Sequence, residues 1–290
     1  MTESHLASGN SIEKIEITKV TSDQIFRIED ELALEEPLEI RVMYGDESAQ
    51  KSKTISVTMR TPGNDHELAT GFLFTEGIIS NRMEIDDSFY INKECGRAKE
   101  NVITVRLKPG IVPELMNVER NFYTTSSCGV CGKASIASIK TVSPFQNHQK
   151  NPKAVTVETL FSLPEKLEAF QNNFSTTGGI HASGLFDMEG NLLTLREDVG
   201  RHNALDKLIG HLLHTQFLPA DHHILLLSGR ASFELIQKAA MAGIRIVASI
   251  GAPSSLAVDL AKEFDITLIG FLRNNRFNIY HQGSDLDIKN

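Results

Sequence analysis

From Thr124 to Gly132 the chain reads Thr-Thr-Ser-Ser-Cys-Gly-Val-Cys-Gly, so each cysteine of the Cys128/Cys131 pair is followed by a glycine. Glycine admits positive φ and leaves a neighbouring sulfur without steric cover. Cys131 stands just before Lys133–Lys140, which reads as a short helix. A helix N-terminus and the Lys133 ammonium both favour thiolate over thiol, the form that attacks sulfur. Three other readings of this C-x-x-C stay open on pattern. Zinc would need four protein ligands, or three and a water, and no second C-x-x-C or H-x3-H accompanies the pair, leaving Cys95 and the histidines to complete it. A thioredoxin-like redox pair belongs near an early βαβ unit, whereas this one follows a strand-rich segment. Two small buried hydrophobes would also satisfy the sequence. The glycine setting favours a nucleophilic or sulfur-carrying thiol.

Two further segments hold titratable groups. Thr176–Ser183 sets His181 two residues after Gly178-Gly179. The arrangement invites comparison with the zinc deaminase signature H-x-E…P-C-x-x-C. Here Ser183 stands where the carboxylate is needed, and the C-x-x-C precedes the histidine, so deaminase chemistry is disfavoured. His181 reads equally as a hydrogen-bonded loop residue or as a ligand or acid–base group. In Glu197–Lys207, Asp198 or Asn203 is suited to cap a helix, and Asp206 to pair with Arg201 or Lys207 on its surface, an interaction usually worth little. Structural and functional readings of this run, including His202, are balanced.

These residues need elements to hold them. Residues 1–12 read as a polar, mobile leader. Alternating β-branched residues predict strands at Glu39–Met43, Ile55–Met59 and Asn101–Leu107, with a turn at Gly45-Asp46. Asn64 or Asp65 is expected to cap a helix from His66 to about Gly77, with Leu68, Phe72 and Leu73 on one face. The loop-like residues 143–153 mark a boundary between a strand-rich α+β domain over 13–145 and an α/β domain over 150–290. In the second, Pro164–Asn172 is predicted as a helix with Pro164 in its first turn. Leu192–Leu195 reads as a strand and Asn203–Leu213 as a helix. The last third alternates strand Ile224–Ser228, helix Phe233–Ala242, strand Arg245–Ile250, helix Leu256–Phe264 and strand Thr267–Phe271. Such alternation means a parallel sheet covered by helices. Ligands of such sheets lie beyond the carboxyl ends of the strands, here Ser228-Gly229-Arg230, Ser249–Pro253 and Leu272–Arg276. Arginines and helix N-termini there suit an anionic guest.

Composition sets the outer bounds. With 29 Lys+Arg against 37 Asp+Glu, the net charge of −8 argues against non-specific nucleic-acid binding. Three cysteines do not make a disulfide framework and fit a reducing compartment. No apolar run approaches the roughly 18 residues of a membrane helix, and the polar start lacks signal-peptide character. The expectation is a cytoplasmic protein.

Over about residues 33–282 the chain resembles the formate dehydrogenase accessory, FdhD-type sulfurtransferase family. The resemblance is carried by Glu36-Pro37-Leu38, Arg60-Thr61-Pro62-Gly63, Glu67–Leu73 and Glu76-Gly77. It continues through Cys128–Gly132, Thr177–Ala182, Glu197–Lys207, Ser228-Gly229-Arg230, Ala248-Ser249-Ile250, Ala252–Ala257 and Gly270–Arg273. It implies a cytidine deaminase-like three-layer domain, a homodimer, and a sulfur carrier that takes sulfur from a cysteine desulfurase for the molybdenum cofactor of formate dehydrogenase. That cofactor, Mo-bis(molybdopterin guanine dinucleotide), would be a bound substrate, and no zinc is expected. The family's persulfide cysteine falls on Cys128, with Cys131 as its companion. Its cofactor-binding stretch falls on Phe271, Leu272, Arg273, Asn274, Asn275 and Arg276; Arg230 and Ser249 join these from the neighbouring strand ends. A chaperone that binds the cofactor without moving sulfur is the alternative.

Overall fold

The computed structural model describes residues 11–86, 90, 91, 101–113, 115, 144, 145, 153–284 and 286–289. An antiparallel ribbon of β1 (Ile12–Val20) and β2 (Ile25–Ala33) comes first. A four-stranded sheet follows, built on β3 (Glu36–Tyr44), with β4 (Lys51–Arg60) antiparallel on one side and β6 (Val102–Arg106) parallel on the other; β5 (Tyr90–Ile91) edges β6. Alternation in β3 turns Leu38, Ile40 and Val42 inward to join Ile55, Ile103 and Val105, the period-2 pattern of a half-buried strand. Helix α1 (Asp65–Thr75) starts as expected, but neither candidate side chain caps it. Asn64 is left-handed at φ 56°, and Asp65 is instead gripped by Arg60 through Nε (3.0 Å) and Nη2 (2.9 Å). A bidentate guanidinium outcompetes the helix's own N–H groups for that carboxylate.

The second half opens with β7 (Lys153–Thr156) and α2 (Val157–Phe170). Pro164 lies in the middle of α2, not in its first turn, because Thr156 caps the helix earlier by accepting from Thr159 N (3.1 Å). Burial of Leu160, Leu163 and Leu167 along one face holds the helix across the proline. After α3 (Asn172–Thr177) come β8 (His181–Phe186), β9 (Leu192–Asp198), α4 (Arg201–His214), β10 (Ile224–Leu227) and α5 (Phe233–Met241). The chain continues through β11 (Ile246–Ser249), α6 (Ser255–Glu263), β12 (Thr267–Arg273), β13 (Arg276–His281) and β14 (Leu286–Lys289), which pairs with β7. The six-stranded sheet runs β13-β12-β11-β10-β8-β9; β10, β11 and β12 are parallel, and β8, β9 and β13 make antiparallel joins.

Two buried clusters lie on this sheet. One joins α2 to Ala182, Phe186, Ile224, Leu226, Ile246, Ala248, Ile269 and Leu272. The other passes through Leu185, Leu225, Leu227 and Val247 into α4 and α5, and on without a break to α1, β3 and β6. Helices α1 and α4 touch backbone to backbone: a Cβ on Gly71 would lie 1.9 Å from Asp206 O, and one on Gly210 1.9 Å from Glu67 O. Charges are buried at this junction. Asp206 faces inward rather than pairing with Arg201 or Lys207; it accepts from Lys238 Nζ (2.9 and 3.0 Å) and Thr75 Oγ1 (2.8 Å). Burial opposes the charge on Lys238, but Asp206 and Glu76 outweigh it and raise its pKa. Nearby, Glu67 accepts from Arg196 Nε (2.5 Å) and Nη2 (2.7 Å), with His211 Nδ1 at 3.1 Å. Among the described residues, no helix is long and apolar enough to cross a membrane.

Candidate functional site

Strand directions bring several chain ends to one edge of the six-stranded sheet. β9, β10, β11 and β12 finish there, β8 and β13 begin there, and α4, α5 and α6 start from it. Open α/β sheets bind ligands at such an edge. Ser254 caps α6 by accepting from Ala257 N (3.2 Å), whereas no side chain caps α4 or α5.

The loops at the edge are interlocked through their backbones. Gly251 N donates to Gly229 O (2.9 Å), Phe271 N to Gly251 O (3.0 Å) and Ser254 N to Ala231 O (3.0 Å). Any side chain on Gly251 would meet Gly229 O at 2.9 Å. Ser249 is fully buried, and its hydroxyl donates to Gly251 O (3.0 Å) and Ile269 O (3.2 Å). Its observed work is to tie these loops together. Leu272 is likewise fully buried, in the cluster under α2, so only its backbone approaches the edge.

Beyond Leu272 the chain forms a two-residue hairpin. Asn274 (φ 52°) and Asn275 (φ 51°) are both left-handed, and Arg273 pairs with Arg276 across the ladder. Two positive φ values mark the type I′ turn, which matches strand twist and which asparagine tolerates. Arg273, Asn274, Asn275, Arg276 and Arg230 are all exposed. Neither arginine of the hairpin takes an ion pair or side-chain hydrogen bond among the described residues. Phe271, half-buried beside the β12–β13 bulge, holds φ 56°, a strained setting for an aromatic residue.

His181 opens strand β8 instead of lying in a loop. It pairs with Asp198 of β9, and its ring rests against Gly229, where an added Cβ would sit 3.3 Å from Nδ1. Burial, then Arg201, His202 and Arg230, depress its pKa, and the opposing pull of Asp198 does not compensate. The imidazole is therefore neutral at neutral pH. His202 Nε2 lies 2.9 Å from Glu234 Oε2 and 3.4 Å from Ser232 Oγ, joining the starts of α4 and α5.

Asp198 is buried and committed to structure. It meets Lys207 Nζ at 2.7 Å and accepts from Thr61 N (3.1 Å), Gly200 N (2.8 Å) and Asn203 Nδ2 (3.1 Å). Lys207 also donates to Thr61 O (2.8 Å), and Val199 N to Thr61 Oγ1 (3.2 Å). Gly200, not Asp198 or Asn203, holds the N-cap position of α4, and Asn203 Nδ2 donates to Met59 O (2.7 Å). The matched segments Arg60–Gly63 and Glu197–Lys207, far apart in sequence, are thus one knot. Sequence reasoning placed Thr61 in a matched segment without its partner Asp198 and missed Glu234, which holds His202; local spacing gives no sign of partners this distant. Cys95, Cys128, Cys131 and the Lys133–Lys140 segment lie outside the described residues.

The comparisons with known proteins agree with each other. The FdhD/NarQ family model matches residues 33–287. A protein of Streptomyces avermitilis named Sulfur carrier protein FdhD is 46% identical over 274 residues, covering 94% of each chain. Proteins of the same name from Mycolicibacterium paratuberculosis (48% over 266 residues; 91% of this chain and 94% of that one) and Sulfurisphaera tokodaii (43% over 269 residues; 93% and 96%) are similar. A crystal structure described as a formate dehydrogenase accessory protein of Desulfotalea psychrophila shares the fold, with TM-score 0.68 and 21% identity, over 95% of this chain and 99% of that one. The chain belongs to the FdhD/NarQ family.

Proposed function

We propose that this protein is a sulfur carrier serving formate dehydrogenase, with Cys128 as the carrying thiol. The observation that carries the reading is near-complete coverage at 43–48% identity by relatives named sulfur carrier proteins. In the first step the Cys128 thiolate attacks the terminal sulfur of a cysteine desulfurase persulfide. The S–S bond to the donor breaks, the donor cysteine leaves as thiolate, and Cys128 becomes a persulfide, as in thiol–disulfide exchange. Cys131 accepts that sulfur in turn, its thiolate attacking the outer sulfur while Cys128 leaves as thiolate, or it attacks the inner sulfur and closes a Cys128–Cys131 disulfide as hydrosulfide leaves.

The receiving cofactor, Mo-bis(molybdopterin guanine dinucleotide), is read as bound at the strand edge. Supporting this are the exposed Arg230, Arg273 and Arg276, the uncapped starts of α4 and α5, and the strained Phe271. Arginine and free helix N–H groups together suit the dinucleotide's phosphates. Ser249 and Leu272 act there from within, as supports of the loops. The parallel β10–β11–β12 core with helices on both faces supports a cytidine deaminase-like three-layer reading of this half, and we take the working unit as a homodimer in the cytoplasm.

Intact-mass analysis after incubation with desulfurase and cysteine tests the carrier role. Wild type gains sulfur, Cys128→Ala gains none, and Cys131→Ala gains it on Cys128. Equal loading of Cys128→Ala, together with full activation of formate dehydrogenase, would overturn it.

A further inference from the structure

The two faces of the β1–β2 ribbon differ in kind. Its register pairs Ile12 with Ala33 and Val20 with Ile25, and side chains alternate between the faces along both strands. One face is closed by its own ion pairs: Lys14 Nζ meets Glu29 (3.1 Å) and Glu31 (3.4 Å), and Arg27 meets Glu16 (3.3 Å). The other carries Ile15, Ile17, Phe26, Ile28 and Leu32, with Glu13, Lys19 and Asp30 among them. Phe26 and Leu32 are 38% and 42% exposed, and the three isoleucines join neither buried cluster. Helix α3 meets the ribbon at its base, where Ser11 Oγ donates to Asn173 Oδ1 (3.1 Å). A two-stranded ribbon is marginal by itself in water, and its apolar face needs a cover. The charges on that face are unspent: Lys19 and Asp30 take no ion pair or side-chain hydrogen bond among the described residues. They lie on opposite sides of the central Ile17–Ile28 pair. Lys19 is two residues toward the tip, and Asp30, level with Ile15, is two residues toward the base. Four residues apart along the ladder, about 14 Å, they do not reach each other within one ribbon.

We propose that a second copy of this chain docks on this face, ribbon against ribbon, with a two-fold axis crossing the strands at the Ile17–Ile28 pair. The proposal deepens the reading of the working unit as a homodimer, and rests on it. The charge pattern selects the occupant. Rotation about that axis exchanges tip and base, so each Lys19 arrives level with Asp30 of the other copy. Stacked sheets lie about 10 Å apart, a gap that a lysine and an aspartate side chain span together. Ile17 and Ile28 fall on the axis and pack against their own copies, as an isologous contact requires. The result is an apolar centre with an ion pair on either side of it, the layout of a specific interface.

Sedimentation equilibrium of the full-length protein over a concentration series tests the surface. Wild type is expected to dimerise. Lys19→Asp and Asp30→Lys each set like charges against each other and should weaken association by about tenfold or more. The double reversal, Lys19→Asp with Asp30→Lys, should regain wild-type strength. An equimolar mixture of the two single variants should associate more tightly than either alone. A purely structural role would give neither result, because the two residues do not touch within one chain. Ile17→Asp places a charge on the axis and should weaken association by about a hundredfold. Lys19 is exposed and Asp30 half-buried, so the reversals decide the matter even if Ile17→Asp does not fold. If wild type dimerises and neither reversal weakens it, or the double reversal brings no recovery, the surface is overturned and the homodimer reading stands with another interface. Wild type that stays monomeric throughout the series overturns both.

Discussion

Within the first two turns of α4 the molecule treats charge in two opposite ways. Asp206 and Lys207 point inward and find partners for their charged atoms in Thr75, Lys238, Thr61 and Asp198. Arg201, at the start of the same helix, has a buried Nε without a hydrogen-bond partner among the described residues, and Arg273 and Arg276 stand exposed. Both groups include basic residues, and Arg201 shares its helix with Asp206 and Lys207, so residue type does not separate them. Saturation does. A buried charge costs several kcal/mol unless its partners are complete, so completeness marks the residues that hold the fold. The incomplete ones are free to meet something from outside.

Breaking a saturated pair gives the largest expected effect. Asp206→Ala strands Lys238 without its counter-charge and should cost about 3–5 kcal/mol, read as a fall in the urea midpoint. Replacing both as Asp206→Leu with Lys238→Met should recover most of that loss. If the single variant melts like wild type, the distinction between saturated and open charge collapses. A somewhat smaller effect belongs to Glu67. Burial alone would raise its pKa, but hydrogen bonds from Arg196 and His211 prevail and hold it at about 2. Its stabilisation is thus present above pH 4.5 and is lost as pH falls toward 2. Glu67→Gln should remove about 2–3 kcal/mol of acid-dependent stability and flatten the unfolding profile between those limits. An unchanged profile would show that the group is not engaged in solution. The smallest stability effects belong to the open set. Arg273→Ala and Arg276→Ala should shift stability by less than about 0.5 kcal/mol. Each should still weaken GDP binding by about tenfold, read by calorimetric titration of the full-length protein.

What the chain disclosed in advance follows the range of the forces involved. The βαβαβ rhythm from Ile224 to Phe271 rests on local periodicity, and the strands and helices form where that rhythm puts them. The arginine-bearing strand ends were legible for the same reason, since topology fixes which ends share an edge. Partnerships across long separations were not legible. Nothing near Asp206 announces Lys238, and nothing near Asp198 announces Thr61, 137 residues away. Short-range competition also misled. Asp65 looks like a helix cap until Arg60 claims it, and Pro164 looks like a helix start until Thr156 is seen to provide an earlier one. Ser249 and Leu272 belong to the right stretch of chain, but β11 is a central strand buried along its whole length and Leu272 turns into the cluster under α2.

The Asn274-Asn275 turn has a consequence for solution conditions. By pairing Arg273 directly with Arg276 it sets two like charges opposite each other on one face of a short ladder, an arrangement that opposes its own closure. The tip of the hairpin is therefore a small loaded spring, held shut by the geometry of the turn. Any multivalent anion that bridges the pair gains its own attraction and cancels the repulsion as well. The hold of the pair on such an anion would slacken steeply as salt rises, and dilute buffer is the medium in which a test for it belongs.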